Sequence, residues 1–128
     1  METAASLRAA IEDLIVRQHV SVFYVGNQGA FDRLAISALT FMKNKYPYIS
    51  CYVVLAYMPL GRREPDTVLP TLFPDGIEKA PKRFAICYRN DWMLSHADIV
   101  VTYIRRHGGG AAHYAEKAEQ QGKVIIHL

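Results

Sequence analysis

Apolar positions along this chain switch between two periods. Over residues 3–17, Leu7, Ala10, Ile11, Leu14 and Ile15 recur at helical spacing, which predicts an amphipathic helix within residues 1–18, lying on a sheet or on a second subunit. Val20-Ser21-Val22-Phe23-Tyr24-Val25 reads as the first strand. It empties through Gly26-Asn27-Gln28-Gly29 into a helix from Ala30 to about Lys45, with Leu34, Ala38, Phe41 and Met42 inward. Pro47 prevents that helix from continuing. Ile49–Ala56 is a second strand. Residues 57–82 hold five of the six prolines and no helical period, so they predict a segment that covers a site or an interface. Val68-Leu69 and Thr71–Phe73 fit a short edge strand inside it. Pro81 opens a helix that reaches about His96, along which Phe84, Tyr88 and Trp92 form a packing stripe. Ala97–Ile104 then reads as a strand buried on both faces. Arg105-Arg106-His107-Gly108-Gly109-Gly110 follows it, and an Ala-rich helix runs on until Gly122 closes it. Lys123–Leu128 is the final strand.

Strands that alternate with helices in this way predict one α/β domain over residues 1–128, a Rossmann-like three-layer sandwich around a mainly parallel sheet. In such sheets ligands bind outside the carboxyl ends of the strands. Two strand–Gly-loop–helix joints fall at such ends, so one crevice can use both. At the later joint, Gly108, Gly109, Gly110 and Ala111 leave the backbone open beneath a helix N-terminus, a cradle for an anion or a nucleotide. At the earlier joint, Gly26 and Gly29 bracket Asn27 and Gln28. Their amides offer donors and acceptors for a nucleobase, ribose or phosphate edge, although Asn is equally a turn residue. Asp32 complements the dipole of the helix that follows. Arg89, on a mostly apolar helix, needs an anionic partner, either a carboxylate such as Asp98 or a ligand phosphate. Arg62, Arg63 and Phe73 are candidates to cover a ligand.

Composition narrows the class. The 128 residues are 51% apolar and 21% charged, as in an ordinary globular protein. A net charge of +3 and a pI near 8.9 suit an anionic small ligand but are too weak to argue for nucleic acid. The pairs Arg62-Arg63, Lys82-Arg83 and Arg105-Arg106 fit solvated loop positions as well as phosphate contacts. Cys51 and Cys87 sit in apolar runs without CxxC spacing and read as reduced core thiols, which predicts a cytoplasmic protein. No signal peptide, lipidation motif or membrane-spanning run is visible. The five histidines lack metal-ligand spacing, and neither a metal nor a cofactor is expected.

The opening run Val22-Phe23-Tyr24-Val25-Gly26-Asn27-Gln28-Gly29 resembles the first strand and Gly-Ser-Ser-type loop of the SLOG superfamily. That superfamily includes the LOG or "lysine decarboxylase-like" phosphoribohydrolases and nucleotide-sensing domains. The later half is similar to LOG enzymes, which carry an Arg nine residues before the Asp that opens a strand, then Pro-Gly-Gly-x-Gly-Thr-x-x-Glu. Here Arg89 stands nine residues before Asp98, and Gly109 to Glu116 fits the Gly-Gly-x-Gly-Thr-x-x-Glu frame. Gly108 replaces the Pro, Ala112 the later Gly and His113 the Thr. Alanine at 112 crowds the phosphate approach, while the imidazole of His113 remains a donor. The resemblance implies a binder of a nucleotide or an ADP-ribose-derived molecule, acting as sensor or sequestering protein. The alternative it implies is hydrolysis of the N-glycosidic bond of a nucleoside monophosphate, with Glu116 at the ribose carbon and Arg89 orienting it or binding phosphate. Glu116 equally suits a local helix contact with Gln120 or its neighbours. The resemblance also implies a homodimer or higher homo-oligomer.

Overall fold

A computed structural model of the chain describes residues 2–57, 69–103 and 110–128. Helix α1 (Glu2–Val16) precedes strand β1 (Val22–Val25), helix α2 (Ala30–Lys45) and strand β2 (Ser50–Val54). Strand β3 (Thr71–Leu72), two 3-10 turns (Ile77–Lys79 and Lys82–Phe84) and helix α3 (Ala85–Ser95) follow. Strand β4 (Ile99–Thr102), helix α4 (Gly110–Gln120) and strand β5 (Val124–His127) complete the order.

Every strand pairing among the described residues is parallel. The strands form two sheets, β1–β2–β3 and β4–β5, rather than one continuous sheet. β1 pairs with β2 from Val22↔Ser50 to Val25↔Val53, and β4 pairs with β5 from Ile99↔Val124 to Thr102↔His127. α2 joins β1 to β2 and α4 joins β4 to β5, the crossover connections that parallel neighbours need.

The strand period of two sorts the side chains by face. Phe23, Val25, Cys51 and Val53 meet Leu7, Ile11 and Ile15 of α1 and Ala35, Ala38, Leu39 and Met42 of α2 in the main core. On the opposite face Tyr24 stacks on Tyr52 with ring centroids 6.0 Å apart. Trp92 of α3 meets the edge of Tyr24 at 5.2 Å. The α1–α2 pair is fastened at its rim by Glu12, which accepts from Tyr46 Oη at 2.6 Å and Lys45 Nζ at 2.5 Å. α3 and α4 are joined by Lys117 Nζ to Asp91 Oδ1 at 2.6 Å and by Tyr114 Oη donating to the Cys87 carbonyl at 3.3 Å.

Several expectations change at this level. α1 lies on its own chain's sheet, as one of the two sequence alternatives had it, and on α2 as well. The inward stripe of α2 is rotated by about one residue. Ala35, Ala38, Leu39 and Met42 are buried, while Leu34 and Phe41 are 39% and 47% exposed. Two alanines in that stripe let α1 approach closely, and Phe41 is left outside beneath the Arg8 guanidinium, 4.7 Å from its ring. The proposed Phe84–Tyr88–Trp92 stripe breaks up for a similar reason. Phe84 ends a 3-10 turn and is 49% exposed, Tyr88 donates to the Asp75 carbonyl at 2.6 Å, and α3 instead buries Ala85, Arg89 and Leu94. Cys51 is buried, but Cys87 is exposed and is not a core thiol. β4 is half-buried along most of its length, not buried on both faces. Among the described residues no helix is long and apolar enough to cross a membrane.

Candidate functional site

The site begins with the residue that ends β1. Gly26 is buried and its backbone is not in the left-handed region, so its lack of a side chain answers to crowding. A Cβ there would lie 2.6 Å from Arg89 Nη1, 2.9 Å from Arg89 Cζ and 2.8 Å from Asp32 Oδ2. A guanidinium and a carboxylate therefore close over the same bare α-carbon. Gly29 has a different reason. It caps α2 with φ 91° and ψ 178°, a conformation almost restricted to glycine, and nothing lies within 4 Å of its missing side chain.

Arg89 reaches this point from α3 and is 3% exposed. Its Nε donates to Asn90 Oδ1 at 3.0 Å and its Nη1 to the Val54 carbonyl, at the end of β2, at 3.3 Å. The ion pairs among the described residues are Arg17–Asp13, Lys45–Glu12 and Lys117–Asp91, so Arg89 has none. Burial pushes its pKa below the ordinary arginine value, and the nearby Asp32 carboxylate opposes that shift without overcoming it. The guanidinium stays charged regardless.

Asp32, in the first turn of α2, reaches back so that its Oδ2 accepts the Gln28 backbone N–H at 2.8 Å. The bond resembles a capping-box reach and fixes the glycine loop to the helix it opens. Burial pushes the Asp32 carboxyl above the usual carboxylate range, against the Gln28 N–H and the charge of Arg89, which both pull it down. Both charged groups are thus shifted toward neutrality, because desolvation outweighs their mutual attraction.

A cleft of about 870 Å³ opens beside this cluster. β1 and β4 line its two sides, and Gly26, Gln28 and Asp32 lie along it with Thr102 and Tyr114. Phe31 of α2 stacks on Tyr103, just after β4, with centroids 6.3 Å apart. The carboxyl ends of β1 and β4 therefore share one cavity. Tyr114 of α4 lines the cleft near Arg89. Its own phenol is pushed strongly up, by burial first and then by the Asp91 carboxylate, and is neutral.

The residues singled out from the sequence divide into three groups. Gly26, Gln28 and Arg89 are brought together, with Asp32 between them. Asn27 and Gln28 are exposed at the loop, where Gln28 Nε2 donates to Asn27 Oδ1 at 3.3 Å. His113 and Glu116 are exposed on α4. His113 meets the Tyr114 ring at 5.0 Å, and Glu116 makes no hydrogen bond or ion pair among the described residues, neither with Arg89 nor with Gln120. Gly110 and Ala111 open α4, whereas Gly108, Gly109, Arg62, Arg63, Arg105 and Arg106 lie outside the described residues.

Three further corrections concern partners. The carboxylate near Arg89 is Asp32, not Asp98, which is exposed and whose carbonyl accepts from Val124 N at 3.1 Å. Phe73 packs against the two core clusters instead of standing over a ligand. Asp32 does more than complement a dipole, and the sequence signal for this was its place three residues after Gly29. No family model matches the chain, and no curated protein and no solved structure matches it either.

Proposed function

We propose that this chain is a SLOG-type, Rossmann-like domain that binds a nucleotide or an ADP-ribose-derived molecule at the carboxyl ends of its strands, as a sensor or a sequestering protein. The observation that carries this reading is Arg89. A buried cation is ordinarily paired, and this one is 3% exposed with two neutral acceptors and no ion pair among the described residues. An anionic ligand would supply a direct ion pair to the guanidinium beyond the nearby charge of Asp32. Gly26, Gln28 and Asp32 line the cleft beside Arg89, and the cleft gives the ligand volume. In a closed three-layer sandwich with the order β3–β2–β1–β4–β5, this cleft would fall at the switch point where ligands bind. A homo-oligomer completes the reading, by analogy with the superfamily.

The test is to incubate the purified protein with AMP, NAD and cyclic ADP-ribose isomers, denature it, and separate the products on a column. The expected result is intact ligand, carried by the protein until denaturation and not retained by Arg89→Ala. Release of free base that disappears in Glu116→Gln would replace the binder with a phosphoribohydrolase. Retention of nothing in the panel would refute nucleotide binding.

A further inference from the structure

We infer that Phe31 and Tyr103 form a clamp for a planar ring, so that the base of the bound nucleotide stacks between them. The inference rests on the nucleotide-binding reading and adds to it the part of the site that holds the base. Phe31 stands in the first turn of α2, after β1 and its loop, and Tyr103 directly follows β4. Both rings line the cleft. Their planes are 18° apart and their centroids 6.3 Å apart. The other aromatic contacts among the described residues have local explanations. Tyr24 with Trp92 and His96, Tyr46 with Tyr48, and His113 with Tyr114 meet edge-on, at angles between 70° and 81°. Of the near-parallel pairs, Tyr24–Tyr52 is set by the register of β1 and β2, and Trp92–His96 by four-residue spacing at the end of α3. Neither constraint brings Phe31 and Tyr103 together.

Their separation is what suits them to a third ring. It lies toward the far end of the range of about 4.5–7 Å for aromatic pairs in contact. A flat ring held between two others needs a van der Waals contact of about 3.5 Å on each face, about 7 Å in all. The pair is thus within about 1 Å of a filled clamp. Phe31 packs against the main core and is the fixed wall. Tyr103 lies one residue beyond the last ladder pair of β4, Thr102↔His127, and is the wall that can shift. Two apolar ring faces take a neutral flat group, so a base fits between them and a phosphate does not. Gln28 lines the same cleft, and its amide offers a donor and an acceptor to the edge of that base.

The experiment is equilibrium dialysis of AMP and of ribose 5-phosphate, which lacks the base, with wild type, Phe31→Leu, Tyr103→Leu and Tyr103→Phe. Leucine keeps apolar volume but offers no ring face, phenylalanine keeps the face, and circular dichroism verifies the fold of each variant. Each leucine variant is expected to bind AMP about 5- to 150-fold more weakly than wild type, the usual scale for losing one base–aromatic stack. Ribose 5-phosphate binding is expected to stay unchanged in both, and Tyr103→Phe is expected to bind AMP as wild type does. Leucine variants that weaken both ligands alike would show a merely structural role and overturn the inference. A preference for AMP over ribose 5-phosphate that survives in both leucine variants overturns the clamp and leaves the nucleotide reading standing. Equal binding of AMP and ribose 5-phosphate by wild type overturns the clamp as well. Absence of AMP binding also overturns it, while the broader reading falls only if NAD and the cyclic ADP-ribose isomers are unbound too.

Discussion

Gly26→Ala isolates the contact on which the site is built. Its backbone lies outside the left-handed region, so alanine adds no backbone strain and even removes roughly 0.4–1 kcal/mol of unfolded-state freedom. Against that, the new methyl would stand 2.6 Å from Arg89 Nη1 and 2.8 Å from Asp32 Oδ2. Overpacking of this kind costs about 1–3 kcal/mol. Pushing the guanidinium aside also breaks its bond to the Val54 carbonyl, worth roughly 1.5–3 kcal/mol for a charged donor. The balance is a destabilisation of about 1.5–5.5 kcal/mol. Urea unfolding of wild type, Gly26→Ala, Arg89→Ala and the double variant measures it. If Arg89 is the obstacle, the cost of the alanine should fall by at least about 1 kcal/mol in the Arg89→Ala background. A cost unchanged in that background, or no cost in wild type, would refute the reasoning. Gly29→Ala is the control. It should lose about 1–3 kcal/mol through backbone conformation alone and show no coupling to Arg89.

Two other outcomes follow from the same geometry. Native Asp32 holds its proton more tightly than the unfolded chain does, so its contribution to stability is fully present below the unfolded pKa and is lost as pH rises through the folded value. Asp32→Asn should therefore gain stability relative to wild type between acid and neutral pH. The Glu12 carboxyl, held low by Lys45 and Tyr46, runs the opposite way but is common to both proteins and cancels. Urea midpoints across that range with a flat or reversed difference would contradict this. Ile49→Ala, at a side chain 0% exposed, should cost about 2–5 kcal/mol in the same assay, and a loss under 1 kcal/mol would place Ile49 outside the cooperative core.

The sequence showed the elements more clearly than their faces. Apolar runs and glycine or proline punctuation located β1, α2, β2, α3, β4, α4 and β5 to within a few residues. Helix phase was harder. Leu34 and Phe41 looked inward on hydrophobicity, yet a stripe containing Ala35 and Ala38 won because small residues permit closer helix packing. Of the site, Arg89 stood out because a cation on an apolar helix needs an explanation. Asp32 was legible only in part: its place three residues after Gly29 signals the local bond to the Gln28 N–H, whereas the arrival of Arg89 from α3 is encoded by no local pattern. Glu116 was legible as a motif position, but the fold leaves it exposed on α4 without a partner among the described residues.

The division of the strands into two sheets bears on association between molecules. A parallel strand with one unpaired side is a template for another chain's backbone, and natural proteins guard such sides. Here β1 is bonded to β2 and β4 to β5, and the sides of β1 and β4 that have no strand partner among the described residues border the cleft. β1 and β4 thus present these sides to one shared cavity. Whatever fills that space, whether water, a ligand or the closing together of β1 and β4, also guards the chain against recruiting a neighbour's strand.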